Sequence, residues 1–381
     1  MKKWPRVPLE LVLRHRKEFV TIDDIRTYMR CRVQLHAKGV VIRDRAKGAE
    51  IRTKKQQLCR AGDFLVAEID AKMGGFGLVP PELNGAIVSS HYFLFEVDES
   101  KLDGRYLDYF CRTDDFRGQV NAQGTTNYAA IRPRDVLSYE VPLPPLAEQQ
   151  AIVARLDTLS DKARHLTAHL NAIEADSDAL VRSYLFGDRA RSYARQKMSD
   201  FVELQAPNVV VDHMQRYQFA GVYSFGRGVF ASVNKEGSNF AYERLSTVRA
   251  GDFIYPKLMA WEGALGVVPT ECDGMVVSPE FPVFKIDMAC MLPEILDIYF
   301  RTPSVWPELA SLSGGTNVRR RRLQPSAFLS YKMPVPPMPT QEKIRELSRA
   351  TQALKSRHAA IRETNSALLP AILERLFSQV A

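Results

Sequence analysis

Apolar residues along the first part of the chain occur in short runs that glycine-rich turns separate. The runs at 63–69, 86–88 and 92–97 have the length and the β-branched and aromatic content of strands. Residues 102–116 instead place apolar and aromatic side chains at the spacing of a short helix. Strands and helices in such an irregular mixture predict an α+β domain.

A different pattern begins near residue 146, where apolar residues recur every seven positions along two adjacent rows. Rows sustained in this way predict one long helix over about 146–186, which would extend ~60 Å at a rise of about 1.5 Å per residue. One row contains Ile152, Leu159, Leu166, Ile173 and Leu180, and its neighbour contains Leu156, Ala163, Leu170, Ser177 and Tyr184.

The C-terminal segment repeats the pattern. One of its rows contains Leu347, Leu354, Ile361 and Leu368, and the other contains Ile344, Thr351, His358, Asn365 and Ile372. Two long helices with matched seams predict an antiparallel coiled-coil pair that joins and separates two mixed domains. The alternative is that each helix folds back onto its own domain. The polar residues Thr351, His358 and Asn365 either set the register of the seam or face solvent at its edge.

The two halves of the chain are copies of one plan. Residues 58–113 and 247–302 share 20 identities in 56 positions at a constant offset of 189, where chance would give roughly three or four. A period of this length is typical of a duplicated domain and not of a solenoid.

A second matched block lies at an offset of 192. It pairs Leu137-Ser138-Tyr139 with Leu329-Ser330-Tyr331, continues through two Pro-x-Pro-Pro elements, and ends at Gln149 and Gln341. The prolines block any earlier helix start. We therefore predict a first mixed domain at 1–145, a first long helix at 146–187, a second mixed domain at 188–338, with a helix around Pro293–Phe300, and a second long helix at 339–381.

Composition narrows the class of protein. The 381 residues are 45% hydrophobic and 25% charged, as in ordinary soluble proteins, and we expect neither a signal peptide nor a membrane span. The cysteines are scattered, which favours reduced thiols and a cytoplasmic location over disulfides or a zinc site; they are Cys31, Cys59, Cys111, Cys272 and Cys290. The net charge of +8 favours a polyanionic partner.

Catalytic motifs are missing from the sequence. It contains no phosphate loop, no dinucleotide-binding GxGxxG after a strand, no HExxH and no catalytic tetrapeptide of amino-methyltransferases. His165 and His169 have a metal-binding spacing, but without a third ligand we interpret them as a solvated helix face. Asp70-Ala71-Lys72 is similar to the end of a metal-dependent nuclease site, but Met259-Ala260-Trp261 replaces it in the second copy. We therefore predict no catalytic residue, metal or cofactor in this chain.

Basic and small polar residues are the candidate functional groups. Each domain ends in a polar turn that arginines follow, and such side chains can reach phosphates and base edges. The candidate DNA-binding residues of the first copy are Arg43, Arg45, Lys54, Lys55, Lys72, Thr125, Thr126, Asn127, Arg132 and Arg134. Those of the second copy are Arg227, Lys257, Thr316, Asn317, Arg319, Arg320, Arg321 and Arg322.

Equivalent candidate positions differ between the copies. Lys72 corresponds to Trp261, Glu68 to Lys257, and Tyr128 to Val318. Divergent contact residues on a shared frame are what reading two different half-sites requires, and drift after duplication is the alternative.

The repeated order of polar turn, Pro-Leu-Pro-Pro-Leu-Ala-Glu-Gln-Gln-Ala-Ile (142–152) and long helix resembles the specificity subunits of type I restriction–modification systems over essentially the whole chain. The second copy departs from this pattern at Pro339-Thr340, where the glutamate before the glutamine is lost, so its helix is expected to be capped differently.

The resemblance implies a non-catalytic subunit with two target recognition domains that read a bipartite, asymmetric DNA sequence. It also implies that the helices set the gap between half-sites and dock two methyltransferase subunits, which bind S-adenosylmethionine and methylate adenine at N6 after base flipping. Motor–nuclease subunits would join for restriction. The alternatives are a stand-alone nuclease or methyltransferase, and a coiled-coil structural adaptor.

Overall fold

The structure, a computed structural model, describes residues 4–120, 131–314 and 321–378. The chain forms two compact units, one made of Met1–Ala168 with Ala359–Ala381 and the other of His169–His358. Each unit contains one mixed domain and a part of each of two long helices. Among the described residues, no helix is both long and apolar enough to span a bilayer.

The first unit holds three sheets. Its strands are β1 (Arg6–Pro8), β2 (Leu13–Arg16), β3 (Phe19–Thr21), β4 (Thr27–Val33), β5 (Val40–Lys47), β6 (Lys55–Leu58), β7 (Phe64–Ala67), β8 (Phe76–Leu78), β9 (Ile87–Val88), β10 (Tyr92–Val97) and β11 (Glu140–Pro142). The sheet orders are β1-β11, β2-β10-β7-β8 and β3-β6-β9-β4-β5. Its short helices are α1 (Gly104–Phe110), α2 (Asp114–Gln119) and α3 (Pro133–Ser138), and the long helix α4 (Leu146–Phe186) follows them.

The second unit repeats this topology strand for strand. Its strands are β12 (Arg195–Lys197), β13 (Val202–Gln205), β14 (Val209–Val210), β15 (Arg216–Tyr223), β16 (Gly228–Glu236), β17 (Arg244–Thr247), β18 (Phe253–Ile254), β19 (Gly266–Val267), β20 (Val276–Val277), β21 (Val283–Ile286) and β22 (Lys332–Pro334). The sheet orders are β12-β22, β13-β21-β18-β19 and β14-β17-β20-β15-β16. Its helices are α5 (Pro293–Phe300), α6 (Trp306–Leu312) and α7 (Pro325–Ser330), before the long helix α8 (Met338–Ser378).

The pairing register is repeated as well. In each five-stranded sheet the ladders are antiparallel except for one parallel bridge, Arg30 with Ile87 in the first copy and Phe219 with Val276 in the second. Each hairpin of β4–β5 and β15–β16 also has a bulge near this bridge. The offset of 189 residues thus describes the backbone as well as the sequence, and the predicted α+β fold with two similar domains is confirmed.

The sequence prediction was wrong about the helix at 102–116, which is two helices. Cys111–Thr113 interrupts it, because Thr113 has extended backbone and its hydroxyl oxygen accepts a hydrogen bond from Phe116 N at 3.3 Å. Threonine is a preferred N-cap because its side chain satisfies an amide that the helix itself leaves unpaired. The apolar period continued through the cap and hid the break.

Two buried glutamines fix the starts of the long helices. Gln149 Oε1 accepts a hydrogen bond from Asp103 N at 2.8 Å, and its Nε2 donates to Lys101 O and Pro144 O at 2.9 and 2.8 Å. Gln341 makes the same three bonds, with Leu292 N, Cys290 O and Pro336 O. Both helices also begin with the same backbone bonds to a proline carbonyl. The expectation of a different cap for α8 was therefore wrong, because the lost glutamate takes no part in the start.

Within the first unit, the two long helices run antiparallel. Asn365 Nδ2 donates to Ala163 O at 2.9 Å and to Thr167 Oγ1 at 3.3 Å. Leu373 and Phe377, further along α8, share a core with Leu156, which lies earlier along α4. The C-terminal turns of α8 thereby complete the core of the first domain, where Phe377 contacts Tyr106 and Phe110.

Within the second unit, the pairing is the converse. His358 Nδ1 lies 2.8 Å from Glu174 Oε1, and Lys355 Nζ lies 2.7 Å from Asp178 Oδ1. Ile344, near the start of α8, shares a core with Val181 and Leu185 near the end of α4. His358 and Asn365 therefore lie inside the seam and are paired there, so the alternative that they face solvent is wrong, and Thr351 in the same row is half-buried.

The two predicted rows of α4 differ in burial. Leu156 and Leu170 are 3% and 5% exposed, whereas Leu166, Ile173 and Leu180 are 39%, 47% and 51% exposed. The row that completes the seam contains Val153, Ser160, Thr167, Glu174 and Val181, which are buried or half-buried. Assigning the leucine and isoleucine row to the seam was therefore wrong, because the more apolar row lies on the flank.

The same holds for α8, where one predicted row lies on the flank of the seam. Ile361 and Leu368 are 41% and 40% exposed, and Leu347 and Leu354 are half-buried. Ile152 and Leu159 are half-buried on α4. These flank residues leave an apolar strip uncovered beside the seam in each unit.

Candidate nucleic-acid interface

The same Arg-Ala-Gly-Asp turn precedes one strand in each domain and fixes where that strand begins. In the Arg-Ala-Gly-Asp turn before β7, Gly62 has a φ of +85°, and Asp63 Oδ2 accepts a hydrogen bond from Arg60 N at 2.7 Å. Gly251, with a φ of +94°, and Asp252 repeat these features before β18. A positive φ favours glycine, so the identity of this motif follows from backbone geometry.

At the end of β7, Glu68 lies where the polar turn of the first domain returns. Ile131, the first described residue after that turn, donates its amide to Glu68 O at 3.1 Å. The Glu68 carboxylate is 2.8 Å from His91 Nδ1 and accepts a hydrogen bond from Arg132 at 3.1 Å. The Glu68 side chain is 15% exposed, whereas His91 and Arg132 are largely exposed. The structure thus brings Arg132 to a carboxylate that we did not predict as a site residue.

The same place in the second domain carries the opposite charges. Leu323 N donates to Lys257 O at 2.9 Å, and Lys257 Nζ donates to Pro279 O at 2.9 Å. Glu280 lies at the position of His91 and pairs with Arg322 at 3.2 Å. Gly314 and Arg322 exchange backbone hydrogen bonds on either side of residues 315–320, which lie outside the described residues. Glu280 is therefore paired with Arg322, while the Lys257 ammonium group bonds to the neighbouring carbonyl of Pro279.

The polar turns themselves lie outside the described residues, and so do seven of the candidate residues: Thr125, Thr126, Asn127, Thr316, Asn317, Arg319 and Arg320. Of the remaining arginines, Arg321 is half-buried and Arg134 is 83% exposed beside Asp135. No contact joins Arg134 to Glu68 among the residues that the structure describes.

The basic residues of the first domain divide between two places. Arg43 lines a cavity of about 290 Å³ together with Arg30, Arg52 and Tyr92. The cavity also reaches Ser89, in the turn that carries His91. The Asp44 carboxylate accepts two hydrogen bonds from Arg30, which hold the pKa of Asp44 below its ordinary value. Asp44 thus pairs with Arg30 and also lies 3.5 Å from Arg43, and the lining of the cavity further includes Arg52 and Glu50.

Three other predicted cations of this domain lie elsewhere. Lys54 donates to Asp24 and to Gly48 O at 2.7 Å, and Lys55 packs over the Phe19 ring at 4.6 Å. Both contacts hold the β3–β6 edge of the sheet, so these lysines have a structural role there. Arg45 is exposed on β5.

Two predicted residues remain, Lys72 in the first domain and Arg227 in the second. Lys72 lies on the turn between β7 and β8, and Arg227 lies at the tip of the hairpin β15–β16. Lys72 is exposed on the turn 71–73, and Trp261 is its half-buried counterpart. These two kinds of turn pack together in both domains. In the first domain His36 N donates to Met73 O, and in the second Phe225 N donates to Glu262 O. The tip in the second domain is aromatic: Arg227 lies 4.6 Å over Tyr223, and Phe225 is 65% exposed with a φ of +63°. We missed this tip because neither ring belongs to a charged run.

The segment Asp70-Ala71-Lys72, which is similar in sequence to the end of a nuclease site, belongs to a tight turn. Asp70 O accepts hydrogen bonds from Met73 N and Gly75 N, which shape the turn 71–73. Gly75 leaves no room for a larger residue, because a Cβ would lie 2.7 Å from Asp70 O. Among the described residues, no group of three metal-ligating side chains occurs.

Solved structures share this fold. The crystal structure of the HsdS subunit from Thermoanaerobacter tengcongensis aligns with 100% of this chain and 98% of its own, at 19% identity and a TM-score of 0.57. A chain from a structure on complex assembly and conformational transition of the type I R-M system aligns over 99% and 98%, at 19% identity and a TM-score of 0.64. At this identity the likeness is one of fold.

A family model identifies one part of the chain. Residues 34–175 match the type I restriction modification DNA specificity domain. This segment of the chain is therefore a type I restriction modification DNA specificity domain. No curated protein matches it. The matched segment of the specificity domain runs from the hairpin of β4–β5 to α4, and it includes Glu68, His91 and Arg132.

Proposed function

We propose that this protein is a non-catalytic DNA-binding subunit that reads a bipartite, asymmetric target and positions the methyltransferase and restriction subunits of a type I complex. One observation carries the proposal. Two frames with the same strand order and the same anchoring bonds present different charges where the polar turn returns, at Glu68 and Lys257. A repeated frame with different contact residues suits the reading of two unlike half-sites.

The decisive experiment is to co-express the chain with its neighbouring methyltransferase and to map N6-methyladenine across the host genome. We expect one motif of two unlike halves with a fixed gap. Methylation at a single continuous motif, or none above a host without the chain, would contradict the proposal. S-adenosylmethionine is expected to bind the partner subunits, so the purified chain alone should show no methyl transfer and no Mg²⁺-dependent cleavage.

The DNA contacts are tested by salt dependence. Replacing Arg319–Arg322 with alanine removes up to four phosphate-binding charges beside the second polar turn. Each lost contact should lower the slope of log affinity against log salt by about 0.9. Arg14→Ala is a matched control, because Arg14 is 79% exposed and pairs with Glu96 on β10. An unchanged slope for the quadruple variant would favour the coiled-coil adaptor without a DNA role.

The apolar strip beside the seam is proposed as the docking surface for the methyltransferase subunits. Leu166, Ile361 and Leu368 are exposed in the first unit, and Ile173 and Leu180 in the second. In an antiparallel pair, the flanks that carry these rows border the same side of the seam. Contiguous exposed apolar residues mark interaction sites, and one strip in each unit agrees with two copies of the partner.

Serine variants test the docking surface. Leu166→Ser with Leu368→Ser should leave the fold intact and reduce co-purification of the methyltransferase at least tenfold. Ile25→Ser is the control, since Ile25 is 90% exposed in the first domain and lies outside both helices. Full retention of two methyltransferase copies by the double variant would contradict docking on this strip.

The spacer role is tested by length. Seven residues inserted into the middle of both α4 and α8 keep the heptad register and add about 10 Å to each helix. The gap between methylated half-sites should then grow by roughly three base pairs at ~3.4 Å each, or binding should be lost through rotation of the half-sites. An unchanged gap with intact assembly would contradict the spacer role.

A further inference from the structure

The two domains present hydrogen-bonding groups of opposite polarity at one equivalent place. Glu68 N donates to His91 O at 2.8 Å, and Lys257 N donates to Glu280 O at 3.0 Å. The same two backbone positions are therefore joined in both copies. The side chains differ at both positions: Glu68 follows β7 and His91 lies before β10 in the first copy, whereas Lys257 follows β18 and Glu280 lies before β21 in the second.

Stability alone does not explain why the acidic residue Glu68 lies at this place. A carboxylate beside DNA repels phosphates and weakens sequence-independent binding, which depends on cations. Glu68 is held in place by one donor on each oxygen, Arg132 on Oε1 and His91 on Oε2. Each carboxylate oxygen can accept a second hydrogen bond, so Glu68 is oriented and still able to accept from a ligand.

Lys257 has the complementary capacity. Its ammonium group donates to Pro279 O and has two further protons. It has no acceptor atom, and a carboxylate has no donor, so the two positions cannot satisfy the same base edge. In the major groove, carboxylates accept from the amino groups of cytosine and adenine, whereas lysine donates to guanine O6 and N7.

We propose that Glu68 and Lys257 determine the base read at one position of each half-site, Glu68 by accepting from an exocyclic amino group and Lys257 by donating to guanine. The inference rests on the proposed function. The chemistry on the two sides is opposite, so the two half-sites differ at this position.

Neutral substitutions test the assignment in the co-expressed complex. Glu68→Gln should alter the preference at one base of one half-site, with roughly a tenfold fall in discrimination between the preferred base and the next. The other half-site should stay unchanged, which also reports that the variant folds and assembles. Lys257→Gln should do the same in the opposite half-site.

Glu18→Gln and Lys285→Gln are controls in the same two domains, since Glu18 pairs with Arg16 and Arg60, Lys285 is exposed on β21, and neither should change the motif. The inference is overturned if both test variants keep the wild-type motif and lower methylation evenly, or if both change the same half-site. Failure of the proposed function looks different, because the wild-type complex would then yield no bipartite motif at all.

Discussion

The two mixed domains agree in their backbone contacts and disagree in their exposed and lining side chains. The buried bonds of Gln149 recur at Gln341, and the turn at Asp63 recurs at Asp252. By contrast, where Arg30 and Ile51 line the cavity with Arg43 and Tyr92 in the first domain, the aromatic residues Phe219 and Phe240 pack together in the second. Buried backbone groups must be satisfied in both domains, whereas surface side chains are free to differ between them.

The strongest test of the shared frame is removal of the two glutamines. Gln149→Leu should leave Asp103 N, Lys101 O and Pro144 O without partners inside the protein. Each buried group left unpaired costs about 1–3 kcal/mol, so the three groups together predict a loss of roughly 3–9 kcal/mol in the free energy of unfolding. Gln341→Leu should cost the second unit a similar amount.

Hydrogen exchange, read separately for each unit, measures both losses. Gln149→Glu keeps the acceptor for Asp103 N but sets a buried carboxylate oxygen against Lys101 O and Pro144 O, so it should be at least as destabilised as Gln149→Leu. A large loss in one unit and none in the other would show that the two helix starts are not equivalent.

Two residues of one helix sharpen the distinction between the seam and its flank. Leu156→Ala removes a side chain that is 3% exposed in the core of the first unit, and should cost about 2–4 kcal/mol. Leu166→Ala, ten residues later and 39% exposed, should cost less than about 1 kcal/mol. Denaturant unfolding of the two variants provides the comparison, and equal costs would contradict the assignment of Leu166 to the flank.

The sequence predicted the turns and helix starts of the two domains better than it predicted which helix faces are buried. Repeated glycines and prolines mark backbone requirements, which is why the turns, Pro293–Phe300 and the start of α4 were confirmed. The seam was misassigned because hydrophobicity favours the row with Leu166, although Glu174 and Thr167 occupy the buried row and are paired across it. Whether a polar residue of α4 is paired depends on the residue that faces it on α8. Such pairing leaves no periodic pattern in the sequence of α4.

Contacts between distant strands were also beyond the sequence. The cysteines are scattered along the sequence, yet Cys31 Sγ and Cys59 Sγ lie 3.6 Å apart and both residues are buried. Strand pairing brings them together, and the second copy has Ala220 and Val248 at these positions. The meeting of Glu68 with His91 and Arg132 has the same origin, and only the exchange of Glu68 for Lys257 pointed to it.

The acidic turns of the two domains should respond differently to neutralisation. Asp63 forms a buried ion pair with Arg16, which is 10% exposed, whereas Gln205 replaces this arginine in the second unit. Asp63→Asn should therefore cost about 2–3 kcal/mol, since Glu18 remains as a second partner for Arg16. Asp252→Asn should change the free energy of unfolding by less than about 1 kcal/mol.

The pH dependence of the second unit follows from the same difference. Burial raises the pKa of Asp252 above the ordinary aspartate value of 3.8. At pH values between 3.8 and the raised pKa, the folded unit binds more protons than the unfolded chain. The free energy of unfolding therefore falls as the pH rises through this range. Asp252→Asn should remove this contribution, which hydrogen exchange in the second unit at several pH values can follow. An unaltered pH profile in the variant would rule out Asp252 as its source.

The two glycines that precede these aspartates should respond alike to substitution. A Cβ on Gly62 or Gly251 would meet nothing within 4 Å, so alanine there costs only the strain of a positive φ, about 1–2 kcal/mol. Gly118→Ala is the control, since Gly118 also has open space but lies in α2 without a positive φ, and alanine should stabilise it by up to about 1 kcal/mol. Thermal melts should show matched losses at Gly62 and Gly251. Unequal losses would mean that the two Arg-Ala-Gly-Asp turns, although alike in sequence, differ in the strain that their surroundings impose.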